Sequence, residues 1–327
     1  MVPCARAAKE ANLGQGCNRI GACSSWVFLS YPHQFRNRMM IRVLRGFASL
    51  RCGLAALSAI AIGMTLASSA AAATIALPAK YKQQGELTFA FNAAYAPMEF
   101  IANDGKTMIG LDIDLANAIA KKLGVKAKFV QAGFDTIIPG LQSDRYDLSM
   151  SSFTITKKRE EVMDFVSYFT AGTSFYVKAK GGPAVASLGD LCGLSVAVTK
   201  GTIQSEDATK QNQECKAAGK KGVDVQFYPD QNAASLAMDS GRAQVCMADS
   251  PVAAWIVKES RGKFKLSGVP YNSAPYGIVI PKNSGLAEPV LQAVKAVMAD
   301  GEYTKILKKW GAEQGAITTP EINPAVQ

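Results

Sequence analysis

Two short stretches carry side chains whose types and positions suit the binding of a small charged molecule. In the run 150–165, MSSFTITKKREEVMDF, an apolar, hydroxyl-rich segment turns at Thr156 into a helix that Thr156 can cap. Lys157, Lys158 and Arg159 fall in its first turn. A helix N-terminus bears about half a positive charge and favours anions, so cations there are locally unfavourable. Glu160 and Glu161 offset this only in part. An anionic ligand held by at least one cation accounts for the placement; a solvated turn is the alternative, since surface charges cost little. The second stretch, DSPVAAW from Asp249, sets a carboxylate at the start of another helix, with Pro251 near its first position. A third junction, TKGTIQ at 199–204, also passes from strand to helix and offers free backbone N–H groups. Arg159 and the N–H donors suit a carboxylate, and Asp249 suits an ammonium. Both groups on one carbon make a zwitterion.

The surrounding elements must hold these junctions together. Segment 87–91 reads as an alternating strand, and 92–100 as a turn-rich loop closed by Pro97. The run 109–124 is predicted helical: Asp112 as cap, Leu115, Ile119 and Leu123 on one face, Lys121 and Lys122 in the last turn, Gly124 as stop. A strand at 127–131, a short helix at 134–143 capped by Asp135, and a buried strand at 147–153 follow. The second half repeats the alternation: strands at 194–198, 223–228, 243–248 and 276–280, helices from 199 to about 212, at 232–240 and from Asp249, and two more within 286–310. Such alternation implies an α/β fold with a parallel or mixed sheet covered on both faces. Ligands of such sheets lie beyond the carboxyl ends of the strands. Two lobes facing each other would enclose a cleft there.

The chain has 327 residues with formal net charge +10. Residues 1–38 lack periodicity and read as an upstream extension outside the working protein. From Met39 to Ala73 the pattern is that of a secretory signal peptide: a basic region with Arg42, Arg45 and Arg51, an apolar run at 53–67, then small residues with cleavage near Ala73. An uncleaved anchor is the competing reading of that apolar run. Eight basic residues and one acidic residue precede Thr74, so the remainder carries only +3, and nothing points to nucleic acid. The single histidine, His33, also lies upstream. Ser-His and Cys-His mechanisms and His-ligated metal sites are thereby excluded from residues 74–327. Cys192, Cys215 and Cys246 remain there. In an oxidising compartment one disulfide and one thiol are expected. Cys192 with Cys215 is the preferred pair, because Cys246 sits in an apolar run; three free thiols are the alternative.

Between Leu87 and Trp310 the chain resembles the family 3 periplasmic solute-binding proteins, receptors of ABC importers for polar amino acids. The resemblance rests on GLDIDLANAIA from Gly110, IPGLQS at 138–143, SFTITKKR at 152–159, DSPVAA from Asp249, and DGEY with KKW at 300–310, in that order. It implies a two-lobed (type II) binding-protein fold with crossover strands near 174–178 and 274–277. Lobe 1 is then 83–175 plus 275–327, and lobe 2 is 176–274. It further implies that Arg159 grips the ligand α-carboxylate, with Ser152 and Thr154 beside it. Thr202 or Ile203 would offer a backbone N–H, Asp249 would accept from the α-ammonium, Tyr95 and Phe134 would sandwich the ligand side chain, and Gln204 would line its far end. Asn92 stands where members that bind cationic amino acids, and some that bind glutamine, have aspartate. An amide supplies no charge, so the reading leans to an uncharged polar amino acid, with acidic ligands left open by Lys200. The implied protein is a periplasmic monomer that delivers its ligand to a membrane permease, without cofactor, metal or catalysis. The alternative is an enzyme resembling the periplasmic cyclohexadienyl (arogenate) dehydratases, with Asp249, Glu99, Lys200 or a tyrosine as general acid.

Overall fold

The computed structural model describes residues 75–326. The expected upstream extension and signal peptide lie outside the described residues. Helix α1 (Ala79–Gln84) leads into β1 (Glu86–Phe91). A small antiparallel sheet of β2 (Ala94–Tyr95), β3 (Glu99–Ile101) and β4 (Met108–Ile109) then feeds α2 (Leu111–Lys122). Next come β5 (Lys126–Gln131), α3 (Phe134–Gln142), β6 (Leu148–Ser149), α4 (Lys157–Glu160) and β7 (Met163–Lys178). The second half contains β8 (Ser195–Thr199), α5 (Ile203–Ala217), β9 (Asp224–Tyr228), α6 (Gln231–Asp239), β10 (Val245–Asp249), α7 (Ser250–Glu259) and β11 (Phe264–Pro281). Helices α8 (Ala287–Ala299) and α9 (Glu302–Trp310) follow. Among the described residues no helix is long and apolar enough to cross a membrane.

The main sheet is mixed and orders its eight strands β5-β1-β6-β11-β7-β10-β8-β9. Its two ends are parallel groups, β5-β1-β6 and β10-β8-β9, each built from strand–helix alternation. Between them β7 and β11 form an antiparallel ribbon, from Phe264 opposite Lys178 to Pro281 opposite Met163. These strands have 16 and 18 residues, whereas a strand usually has about 5–6. Both expected crossover segments, 174–178 and 274–277, lie within this ribbon. Its register slips between Ser267 and Tyr271, between Tyr271 and Ala274, and between Tyr276 and Gly277. Slips of this kind bend and twist a strand pair.

Helix α2 buries Leu115 and Ile119 as its periodicity predicts, Leu123 is buried at its C-cap, and Gly124 follows at positive φ. Its start differs from expectation. Gly110, not Asp112, occupies the N-cap, and the Leu111 and Asp112 N–H groups donate to the carbonyls of Pro97 and Met98 at 3.0 and 2.9 Å. Backbone acceptors meet the helix's free donors, which releases the Asp112 side chain for the interior. Asp135 likewise caps nothing; Gly133 precedes α3, and Asp135 pairs with Lys200 at 2.8 Å. The strand expected at 147–153 is cut to Leu148–Ser149, because Ser152 adopts a left-handed φ of 50°. Thr156 does cap α4, accepting from Arg159 N–H at 3.2 Å. Cys192 and Cys215 are joined, tying the segment before β8 to the last turn of α5, and Cys246 is a buried thiol.

Two stability predictions follow from this framework. Gly110 has φ 142°, and a Cβ there would overlap the Met98 carbonyl oxygen. Gly110→Ala should cost at least about 2 kcal/mol through overlap and strain. Urea unfolding should show a lowered midpoint at unchanged slope; an unchanged midpoint would mean this close approach does not hold the β3–α2 junction. The Cys192–Cys215 bridge spans a sequence separation of 23. Replacing both cysteines by serine should lower stability by roughly 3 kcal/mol through loop-closure entropy, and should abolish any effect of reductant on the melt.

Candidate ligand-binding site

The cleft between the two halves is lined from both sides. From the first half it takes Asn92, Tyr95 and Phe134, together with Ser152, Thr154 and Arg159. From the second it takes Thr202, Ile203, Gln204 and Asp249. The fold therefore brings all ten sequence-predicted ligand residues to one place, and adds Glu99, Ser151 and Thr199. Among the described residues no cluster suits a metal ion.

Arg159 sits at the C-terminal side of the four-residue α4, half-buried, with its guanidinium 5.2 Å from the Phe153 ring centre and 5.7 Å from that of Phe134. Those rings stack on each other at 4.2 Å. Nη1 donates to Thr154 O at 2.7 Å, and Nη2 to Gly201 O, in the opposite half, at 3.0 Å. Burial lowers its pKa to about 10, opposed by the negative charges of Glu206 and Asp249, so it stays cationic at neutral pH. Lys158 pairs with Glu206 at the surface at 2.9 Å, and Lys157 is exposed. Lys200 does not line the cleft; its charge meets Asp135.

Asp249 ends β10 and is only 5% exposed. Although it precedes α7, its side chain makes no capping bond. Oδ2 accepts from Tyr95 Oη at 2.8 Å and Oδ1 from Gln204 Nε2 at 2.7 Å, while Asp249 N–H donates to Tyr95 Oη at 2.9 Å. Burial raises its pKa; the Tyr276 and Tyr95 hydroxyls, the Gln204 amide and the Arg159 charge oppose the rise. The Tyr276 hydroxyl acts from close by without hydrogen-bond geometry. Gln204 also donates to Thr173 Oγ1 at 3.1 Å, so it positions Asp249. Thr202 caps α5 by accepting from Ser205 N–H at 3.2 Å. That leaves the first N–H groups of α5 at the cleft, free of intrahelical partners. Asn92 directs its Nδ2 to Ala132 O at 3.0 Å, and its N–H donates to Ser151 Oγ at 3.0 Å.

What sequence reasoning missed is that Glu99, expected only as one possible general acid, lines the cleft paired with Asp112 behind it. Glu99, in the β3 strand opposite Tyr95, and Asp112, in the first turn of α2, are 1% and 0% exposed. Ser151 Oγ donates to Glu99 Oε1 at 2.7 Å. Ser152 Oγ lies between the two acids, 3.3 Å from Glu99 Oε2 and 3.1 Å from Asp112 Oδ2. Asp112 Oδ2 also accepts from Ser152 N–H at 2.9 Å and Tyr168 Oη at 2.8 Å, which fixes the left-handed Ser152. Asp112 Oδ1 is buried with no partner. Burial, then the charge of Asp112, pushes the Glu99 pKa well up; burial also raises that of Asp112, against its hydrogen bonds. A signal for Asp112 was present: it stands three and seven residues before Leu115 and Ile119, on the buried face of α2.

A family model described as bacterial extracellular solute-binding proteins, family 3, matches residues 87–313. The arginine-binding protein ArgT of Corynebacterium glutamicum is 32% identical over 76% of this chain and 81% of its own length. The lysine/arginine/ornithine-binding periplasmic protein of Escherichia coli is 31% identical over 74% of this chain and 92% of its own. The crystal structure of an ancestral amino acid-binding protein, a precursor of cyclohexadienyl dehydratase, superposes with TM-score 0.63 at 33% identity. It covers 71% of this chain and 97% of that one. The fold, the cleft and these matches agree, and the chain belongs to the family 3 extracellular solute-binding proteins.

Proposed function

We propose that the protein is the amino-acid receptor of an ABC importer, exported to the periplasm by a cleaved signal peptide and working as a monomer. Arg159 takes the ligand α-carboxylate, with Ser152, Thr154 and the first N–H groups of α5, and Asp249 takes the α-ammonium. Tyr95 and Phe134 flank the side chain, and Asn92 favours an uncharged polar one. Lobe 1 is 83–175 plus 275–327 and lobe 2 is 176–274, with the β7–β11 ribbon as hinge. Closure about that hinge presents the liganded form to the permease.

The observation that carries this reading is the meeting of Arg159 and Asp249, from opposite halves, in one cleft. A guanidinium fork matches a carboxylate, and a buried aspartate with spare lone pairs matches an ammonium. Glu99 gives the dehydratase alternative one point of support, because its pKa, raised by burial, would keep a proton at the cleft wall as a general acid requires.

Thermal-shift measurements with the standard amino acids, prephenate and arogenate separate the two. A ligand at about 100 times its dissociation constant adds roughly 2.7 kcal/mol, and a polar amino acid should produce that shift. No shift with any amino acid, together with consumption of prephenate, would assign the protein to the enzymes. Arg159→Ala should weaken the binding of that amino acid by roughly 3–5 kcal/mol, because it leaves a buried carboxylate unpaired. A calorimetric loss below about tenfold, or about 1.4 kcal/mol, would remove Arg159 from that role.

A further inference from the structure

The Glu99–Asp112 pair has a hydrogen-bond deficit that geometry alone exposes. The Ser152 hydroxyl lies within hydrogen-bond distance of both acids but has one proton to donate. Asp112 Oδ1 has no partner at all, although it is fully buried. No lysine or arginine is among the groups hydrogen-bonded to either acid. Two adjacent buried carboxylates cannot both stay ionised without compensation. A shared proton removes one charge and supplies the missing donor. The same neutralisation could come from a cation. Glu99 lines the cleft while Asp112 stands behind it, so a cation entering the cleft meets Glu99 first.

We infer that Glu99 and Asp112 form a proton-exchange subsite: they hold one shared proton when the bound amino acid has an uncharged side chain, and release it to solvent when a cationic side chain occupies the cleft. The inference rests on the amino-acid reading above and deepens it. The charges balance, because a side-chain cation replaces a proton and the net charge of the cleft is unchanged. Asn92, which carries no charge, then leaves cationic ligands accessible at a cost set by the proton. The raised pKa values of both acids agree with a proton held near neutrality.

The other titratable groups that face the pair are Tyr95 on β2 and Tyr168 on β7, while Tyr276 on β11, Asp249 on β10 and Arg159 on α4 interact with one another or with Tyr95 and Tyr168. Burial pushes all three tyrosine pKa values well up, so they keep their protons, and Arg159 keeps its charge. Asp249 is also raised, but it meets the same α-ammonium in every amino acid. Its contribution cancels when two amino acids are compared.

The test is isothermal calorimetry of the exported protein near pH 7, in buffers of different ionisation enthalpy, with L-arginine and L-glutamine as probes. Arginine should release about one proton more than glutamine, and its affinity relative to glutamine should rise with pH by up to about tenfold per unit. Equal proton counts overturn the inference, as does binding of glutamine with no binding of arginine or lysine. Glu99→Gln and Asp112→Asn should each abolish the excess release. A variant that still binds an amino acid yet releases the excess proton also overturns it, and if neither variant folds, the wild-type count decides. If no amino acid binds at all, the receptor reading fails first, and the melt shows this before any proton is counted.

Discussion

Burial of charge is the constraint on which this structure turns. Glu99, Asp112 and Asp249 are all but removed from water around one cleft, and Arg159 is the only cation among the residues that line it. An uncompensated buried ion costs several kcal/mol, so each group must be paired, hydrogen-bonded or protonated. Asp249 draws on Tyr95 and Gln204, and Arg159 on two carbonyls and two aromatic faces. Glu99 and Asp112 draw on two serines and Tyr168. Gly110 serves the same end. By letting Met98 approach the start of α2, it brings the strand of Glu99 beside the helix turn of Asp112.

The contacts between the halves are of two kinds with different costs. The β7–β11 ribbon is continuous and carries Phe165, Phe169, Phe175 and Tyr176 in full burial, which apolar area makes expensive to disturb. Across the cleft the polar ties are Tyr95 to Asp249, Arg159 to Gly201, Lys158 to Glu206 and Lys200 to Asp135, and Phe100 meets Trp255 at 6.4 Å between ring centres. The two ion pairs are largely exposed, and such pairs contribute about 0–1 kcal/mol. Separating the halves would break these ties, and one apolar cluster that includes Leu87, Ile119, Ala237 and Val252 also takes residues from both halves. The ribbon's ladder is interrupted between Ser267 and Gly277.

Much of this was legible in the sequence because period and punctuation report on backbone. The face of α2, the cap at Thr156 and the strand–helix junctions at Thr202 and Asp249 all follow from short-range rules. The ten proposed ligand residues were within reach once the order of motifs was read alongside those junctions. The failures share one cause. Asp112 and Asp135 each stood where an aspartate commonly caps a helix, and tertiary partners claimed both: a buried serine turn for the first, a lysine across the cleft for the second. Local rules cannot see a partner 40 or 65 positions away. The length of β7 and β11 was hidden for a similar reason, since only pairing with each other extends them through both halves.

Arg159 is held by causes other than the one its sequence position suggests. Its position in the first turn of a helix looked costly because of the helix dipole. Yet α4 has only four residues, too few aligned peptides to build much of one. What sets the guanidinium is the Phe134–Phe153 stack and the carbonyls of Thr154 and Gly201. These use two of its five N–H donors, so a carboxylate adds to the arrangement without displacing it. Asp249 has the same property: a carboxylate offers about four acceptor sites, and Tyr95 and Gln204 occupy two. Each end of the cleft is thus held rigid by protein and left with unused hydrogen-bonding capacity of opposite sign. Preorganisation of that kind is what the proposed zwitterion would need to bind tightly, because little side-chain entropy would remain to be lost when it arrived.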